Sequence, residues 1–177
     1  MKAVDCTAEM VRHAAENARH HGAEAEFAVM DSHSLAYPDQ SFDLVLSRNV
    51  TWTLRDPEAA YREWLRVLRP GGRLLVFDAN WYRYMLDEEA RRAREAAEKA
   101  ACGKLGLTPF KEPDPALLEQ IYMSMPMGKR LRPEWDLQFL ASCGYQKTEV
   151  EYGLEDHIWE DWEQVLDRST PMFMVKA

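Results

Sequence analysis

The sequence predicts an α/β fold, a mostly parallel sheet with helices on both faces and an antiparallel strand near the carboxyl end. Three observations predict it. Apolar runs and helical patterns alternate through residue 78 in the order strand, helix, strand, strand, helix, strand. The run "FDLVLS" carries the branched residues preferred by parallel strands covered on both faces. Two consecutive runs end in an acid, Asp5 and Asp31, at the point where a parallel sheet hands the chain to its next helix or loop.

The first strand is "KAV", ending at Asp5. Thr7 then caps "AEMVRHAAENARHH", whose Met10, Ala14 and Ala18 recur on one helical face with Val11 and Ala15 beside them. Gly22 closes that helix, and His13, His20 and His21 fall on its polar side as surface residues. "AEFAVM" is the next strand, followed by the loop "DSHSLAYPDQS" and the strand "FDLVLS". Asp56-Pro57 places an N-cap residue before a proline suited to the first helical position. The helix "EAAYREWLRVL" then buries Ala60, Tyr61, Trp64, Leu65 and Leu68, "RPGG" ends it, and "RLLVFD" is a strand.

Beyond Trp81 the pattern changes. "LDEEARRAREAAEKAACGKLG" is a highly charged helix with an alanine stripe, suited to covering a surface rather than filling a core. Pro109, Pro113 and Pro115 mark a linker, and Asp114-Pro115 opens a second short helix, "ALLEQIYMSM". Residues 80–130 read as a helical cap inserted over the sheet edge of a single domain spanning residues 1–177. "RPEWDLQFLASCGY" returns to a core helix ending at Gly144, and "QKTEVEY" and "TPMFMVKA" supply two last strands.

At 177 residues with 46% apolar composition, the chain suits one domain with a real core. A net charge of −8 argues against nucleic acid as a partner, because phosphate binding draws on a surplus of Lys and Arg. Cys6, Cys102 and Cys143 are widely spaced, with no C-x-x-C and no Cys/His spacing suited to zinc, so no metal is expected. They read as free thiols of a reducing, cytoplasmic compartment. No apolar stretch approaches a membrane span, and no membrane partner is expected.

In an open parallel sheet, ligands lie beyond the carboxyl ends of the strands. A carboxylate at Asp5 can accept two hydrogen bonds from ribose hydroxyls, and one at Asp31 can accept from an adenine amino group; either can equally cap its own turn. Ser47, Arg48 and Asn49 emerge at the same rim, where Arg48 can pair with a carboxylate and Trp52 can offer its face to a cation. The strand "RLLVFD" delivers Asp78, Asn80, Trp81 and Tyr82 there as well.

These residues carry a resemblance. "MKAVDCTAEMVRHAAENA", "LAYPDQSFDLVLSRNVTWTLRDPEAAYREWLRVLRPGGRLLVFD" and the closing strands resemble a class I S-adenosylmethionine-dependent methyltransferase of the small-molecule, type 11 or UbiE-like group. The resemblance runs from residue 2 to 79 and resumes at "RPEWDLQFLASCGY". It implies a Rossmann-like fold and S-adenosylmethionine as cofactor. It assigns Asp5 to the ribose, Cys6 and Met10 to flanking positions, Asp31 and the Ser32 backbone to the adenine, and Ser47 and Arg48 to the methionine end. Asn49, Trp52, Asn80, Trp81 and Tyr82 become acceptor-pocket residues beneath the cap, with a small-molecule acceptor as substrate.

The same resemblance implies a preceding strand, glycine-rich loop and helix, roughly 30 residues as a supersecondary unit. The first glycine here is Gly22, at a helix end, and Gly71-Gly72 belongs to a turn. The expectation is a chain that starts one strand–helix unit late, an N-terminally truncated form with weak cofactor binding. The family's central strand would lie between "KAV" and "FDLVLS", so both would keep an open edge through which copies self-associate. The implied chemistry is attack by an acceptor nucleophile on a sulfonium methyl group. A base is optional, and Tyr82, Asp78 and His157 are the polar groups available for it. The alternative is a non-catalytic binding or regulatory module that retains the fold. A nicotinamide-dependent oxidoreductase also places an acid after its second strand, but "YPDQSFDLV" argues against it.

Overall fold

The computed structural model describes residues 1–106, 114–159, 163, 164, 167 and 169–177. Pro109 and Pro113 of the expected linker lie outside the described residues. The amino-terminal unit is β1 (Lys2–Asp5), α1 (Ala8–His20) and β2 (Glu26–Val29). It is followed by β3 (Phe42–Arg48), a 3₁₀ turn at Thr51–Thr53, α2 (Pro57–Val67) and β4 (Leu68–Ala79). A 3₁₀ turn at Arg83–Met85 leads to α3 (Glu88–Leu105) and α4 (Pro115–Ser124). The chain ends with α5 (Glu134–Ser142), β5 (Glu149–Tyr152), α6 (Glu155–Ile158) and β6 (Met172–Lys176).

The strands form two sheets. β1 pairs with β2 in parallel, Lys2 opposite Glu26 through Asp5 opposite Val29. The second sheet has the order β3-β4-β6-β5, with β3 parallel to β4 and β6 antiparallel to both of its neighbours. Among the described residues β1 and β3 pair with no strand but β2 and β4 respectively, so each keeps one open edge, in line with the expectation for "KAV" and "FDLVLS".

α2 forms where its start signals lie. The Asp56 carboxylate accepts from the Ala59 N–H at 2.9 Å, and Pro57 occupies the first turn. Its inward face is Pro57, Ala60, Tyr61, Trp64 and Val67, all buried; Leu65, expected on that face, is half-buried. Ala60, Tyr61 and Trp64 of this stripe pack with Leu74 and Val76 of β4, Leu140 of α5 and Phe173 of β6 into the main core. Trp135 and Phe139 of α5 stack in near-parallel planes 5.3 Å apart at its margin.

One local expectation fails. The strand expected at Arg73 begins at Leu68, because α2 ends in extended backbone and Leu68 already pairs with Phe42. The register then shifts to Leu44 opposite Arg73, leaving a bulge that contains "RPGG". Gly71 there has φ of 80°, and a Cβ at Gly72 would stand 2.9 Å from the Arg69 carbonyl oxygen, so both positions favour glycine. The apolar stripe of α1, which includes Met10, covers no core. None of its residues is buried, and Met10 is 55% exposed. Its main tertiary contacts are with β1 and β2, too small a surface to cover the helix.

The loop between β2 and β3 is laid on α2 by side chains. Trp64 Nε1 donates to the Ser32 carbonyl at 3.1 Å, and the Glu63 carboxylate accepts from the Leu35 N–H at 2.6 Å. Arg66 donates to the carbonyls of Leu35 and Tyr37 and to Glu63 and Asp39.

Truncation in the main core should therefore be far costlier than on α1. Leu140→Ala is expected to destabilise the protein by about 2–5 kcal/mol. Met10→Ala should stay within about 0.5 kcal/mol of wild type. Urea denaturation followed by circular dichroism measures both, and comparable losses would mean that α1 packs against something.

Candidate functional site

The carboxyl ends of the four parallel strands carry the residues singled out from the sequence. Asp5 closes β1, half-buried, and its Oδ1 accepts the Thr7 N–H at 2.7 Å. The turn into α1 is thus capped by Asp5, while the Thr7 side chain makes no capping bond. Asp5 Oδ2 takes no hydrogen bond from a described residue. Cys6 is exposed with its Sγ 3.7 Å from Thr7 Oγ1, and Met10 stands on the open face of α1.

Asp31, two residues beyond β2, is held on both oxygens. Oδ1 accepts the His33 backbone N–H at 2.9 Å and the His33 ring Nδ1 at 2.5 Å, and Oδ2 accepts from Arg55 at 2.6 Å. His33 Nε2 accepts the Asp56 N–H at 3.3 Å, which puts the ring proton on Nδ1. The His33 backbone N–H, then the His33 ring and Arg55, hold the Asp31 carboxyl well below the usual carboxylate range. The Ser32 carbonyl is occupied by Trp64 Nε1, leaving its N–H for any ligand.

A second group gathers at the ends of β3 and β4. Ser47 is buried and its Oγ has no partner among the described residues. Arg48, offered by the sequence to a ligand carboxylate, pairs instead with Glu163 at 3.3 Å. Asn49 has φ of 55° and donates its N–H to the Phe77 carbonyl at 2.9 Å, turning the chain off the sheet. Trp52 follows in the 3₁₀ turn; its ring packs 5.2 Å from Tyr82, and its Nε1 is buried without a hydrogen-bond partner. Tyr82 in turn lies 4.4 Å from the Tyr122 ring of α4. Asn80 pairs with the Arg132 backbone in both directions, and Trp81 Nε1 donates to Asp78 Oδ1 at 3.2 Å.

Joined to this rim is a charged cluster of which the sequence flagged Asp78 alone. Arg132 donates to Asp78 Oδ2 and, through Nε and Nη2, to Asp136 at 2.8 and 2.7 Å. The Tyr61 hydroxyl donates to Asp136 Oδ1. All four groups are buried. Burial, and then the Asp136 charge, hold the Tyr61 phenol well above its usual range, so it remains a donor. Burial opposes the charge on Arg132, but Asp136 and Asp78 outweigh it and raise the guanidinium. Asp78 is raised by its own burial against the pull of Arg132. As a base Asp78 is therefore poorly placed, with both oxygens bonded inside the protein; His157 is exposed on α6. The i, i+4 spacing of Arg132 and Asp136, on either side of a helix start, was the one sequence signal for this cluster. Among the described residues no group of His, Cys, Asp and Glu could hold a metal ion. None of the described helices is long and apolar enough to cross a membrane.

Near the same rim a small cavity of about 80 Å³ is lined by Asn80, Arg83, Tyr84, Ala90, Thr170 and Pro171, among others. It lies between the residues following β4, the start of α3 and the approach to β6.

The depressed Asp31 carboxyl, and that of Glu63, lowered chiefly by Arg66, set a pH dependence. Both are lower folded than unfolded, so as pH falls the unfolded chain takes up protons first. Their stabilisation is complete above the ordinary carboxyl values of about 3.9 and 4.3 and is lost as pH falls toward the folded values. The thermal midpoint should drop on acidification below about pH 5, and Asp31→Asn should be less stable at neutral pH with a shallower drop. Parallel curves for the two proteins would contradict the assignment.

Comparison with known proteins gives the site a context. A family model described as a methyltransferase domain, type 11, matches residues 1–76. Phosphoethanolamine N-methyltransferase of Triticum aestivum is 35% identical over 75 residues, 42% of this chain and 15% of that protein. The ubiquinone/menaquinone biosynthesis C-methyltransferase UbiE of Hahella chejuensis is 47% identical over 62 residues, 33% of this chain and 23% of that protein. The chain thus matches well under two thirds of either relative's length. The structure of Haemonchus contortus phosphoethanolamine N-methyltransferase 2 in complex with S-adenosyl-L-methionine superposes with a TM-score of 0.59. That match is 15% identical and covers 99% of this chain and 42% of that one, a likeness of fold. Over residues 1–76 the sequence is thus similar to type 11 methyltransferase domains, and the fold around them is like that of solved S-adenosylmethionine-dependent methyltransferases.

Proposed function

We propose that the chain binds S-adenosylmethionine over the carboxyl ends of β1 and β2 and transfers its methyl group to a small-molecule acceptor at the ends of β3 and β4. The observation that carries this reading is the pairing of two parallel strands that end in carboxylates with two that end in an aromatic and polar rim. The residues present fit the cofactor. Asp5 Oδ2 is open to ribose hydroxyls, with Cys6 and Met10 beside it on the same turn and helix. Asp31 can accept from the adenine amino group by exchanging Arg55, whose side chain is 74% exposed. The Ser32 N–H, the unpartnered Ser47 Oγ and Arg48 line the way to the methionine end.

The bound cofactor supplies an electrophilic methyl group on a sulfonium. The chain's own contribution is orientation and exclusion of water. Asn49, Trp52, Asn80, Trp81 and Tyr82 form the acceptor side, and residues 80–130 cap it within a single domain of residues 1–177. Trp52 Nε1 can donate to an acceptor oxygen, and a proton lost by the acceptor passes to solvent. The phosphoethanolamine and quinone-pathway relatives support a small molecule as acceptor. The free thiols and the lack of a spanning helix among the described residues support a cytoplasmic setting. The open edges of β1 and β3, with exposed Val4, Leu44 and Leu46, support self-association of copies through those edges.

Titration with S-adenosylhomocysteine, followed by chemical-shift changes so that weak binding is measurable, should perturb residues at the ends of β1 and β2. Asp5→Ala should weaken binding roughly 10- to 100-fold, for a charge-assisted bond of about 1.5–3 kcal/mol. Asp43→Ala, on the exposed start of β3, should leave it unchanged. Equal affinity in Asp5→Ala would reduce Asp5 to a cap of α1. Light scattering at increasing concentration tests the edges, and a monomer throughout would exclude self-association.

A further inference from the structure

Arg132 lies more than fifty residues after the strand ends it serves, in the turn before α5. Its side chain is only 2% exposed, and its guanidinium lies over the Phe173 ring at 5.2 Å. Three of the five acceptor-side residues hang on it. Asn80 is held directly, its Nδ2 donating to the Arg132 carbonyl at 2.8 Å and its Oδ1 accepting the Arg132 N–H at 3.4 Å. Trp52 and Trp81 are held through Asp78. Asp78 Oδ2, which accepts from Arg132 Nη1, also accepts the Trp52 backbone N–H at 3.1 Å. Asp78 Oδ1 accepts the Trp81 indole N–H at 3.2 Å and the Ala79 N–H at 2.9 Å.

We propose that Arg132 is a positioning residue for the acceptor side: by fixing the Asp78 carboxylate it fixes the Trp52 turn and the Trp81 indole at the rim. The proposal rests on the methyl-transfer reading for the purpose of that rim, not for the linkage itself. A buried ion pair kept only for stability is a weak device, because apolar replacements of similar volume serve as well or better. What distinguishes this one is the set of partners that its carboxylates hold. Asp136, which also accepts from Tyr61 of α2, holds Arg132 to α5, while the oxygens of Asp78 accept from two tryptophans on separate segments. No other described side chain bonds to both Trp52 and Trp81.

The test compares Arg132→Lys, Arg132→Leu and Asp78→Asn by ¹H–¹⁵N correlation spectra. In Arg132→Leu the Trp81 indole and Trp52 amide resonances should shift or broaden, while those of β1, α1 and β2 stay in place. Arg132→Lys, which keeps a charge for Asp78, should move both back toward wild type. Asp78→Asn keeps the side-chain size and serves if Arg132→Leu does not fold; it should lose at least one of the two tryptophan positions. A folded Arg132→Leu or Asp78→Asn protein with both resonances unmoved would overturn the proposal, as would failure of Arg132→Lys to restore either. Wild-type protein that shows no S-adenosylhomocysteine binding would count against the methyl-transfer reading while the tryptophan resonances still report on the linkage.

Discussion

The carboxyl-end rim depends on one buried guanidinium. Removing Arg132, Asp78 and Asp136 from water costs several kcal/mol per ion, which is recovered only when every charged atom is bonded. The structure meets that demand with donors from four elements. Tyr61 of α2, Arg132 before α5, the Trp52 turn after β3 and Trp81 after β4 all converge on two carboxylates. The helix α5 and the strand β4 are thereby locked to one another at the level where the sheet ends. Because an unpaired buried charge is far costlier than an absent one, the arrangement has one satisfied geometry rather than several.

The two halves of the rim rest on different physics. At β3 and β4 the polar groups are buried and their partners are fixed. At β1 and β2 the acids sit in water-accessible turns: Asp5 caps Thr7 alone, and Asp31 holds His33 and the exposed side chain of Arg55. A half-exposed carboxylate with one open oxygen is suited to exchange solvent for a ligand hydroxyl at small cost. A fully bonded buried carboxylate is suited to hold a neighbour still. That division is the one the proposed reading calls for, a half that exchanges ligands at Asp5 and a half held still around Asp78.

The segment between β2 and β3 connects the halves. Glu63 and Arg66, three residues apart on α2, bind the backbone of Leu35 and Tyr37, and Trp64 between them binds Ser32. The chain from Asp31 to Phe42 is therefore templated by one helix face. Without that template the two-stranded unit would have little to orient it, since α1 buries nothing and β1 and β3 share no pairing.

The sequence by itself determined the helices and strands other than α6, and the end of the sheet at which polar groups collect. Asp56-Pro57, the stripe Ala60, Tyr61, Trp64 and the runs "FDLVLS" and "LLVF" carry local signals that the fold respects, because caps and periodicity act within a few residues. The start of β4 at Leu68 was not legible, since "RPGG" reads as a turn until Phe42 is there to pair across it. Nor was the exposure of Met10, because an apolar stripe states what can be buried and not whether a partner surface is present. The candidate residues at Asp5, Asp31, Trp52, Asn80 and Trp81 were legible from strand ends alone. What only the tertiary structure decided is which of them are coupled. Arg132 and Asp136 look like ordinary charges on a helix start, and their role exists only once folding removes water from around Asp78, more than fifty residues away.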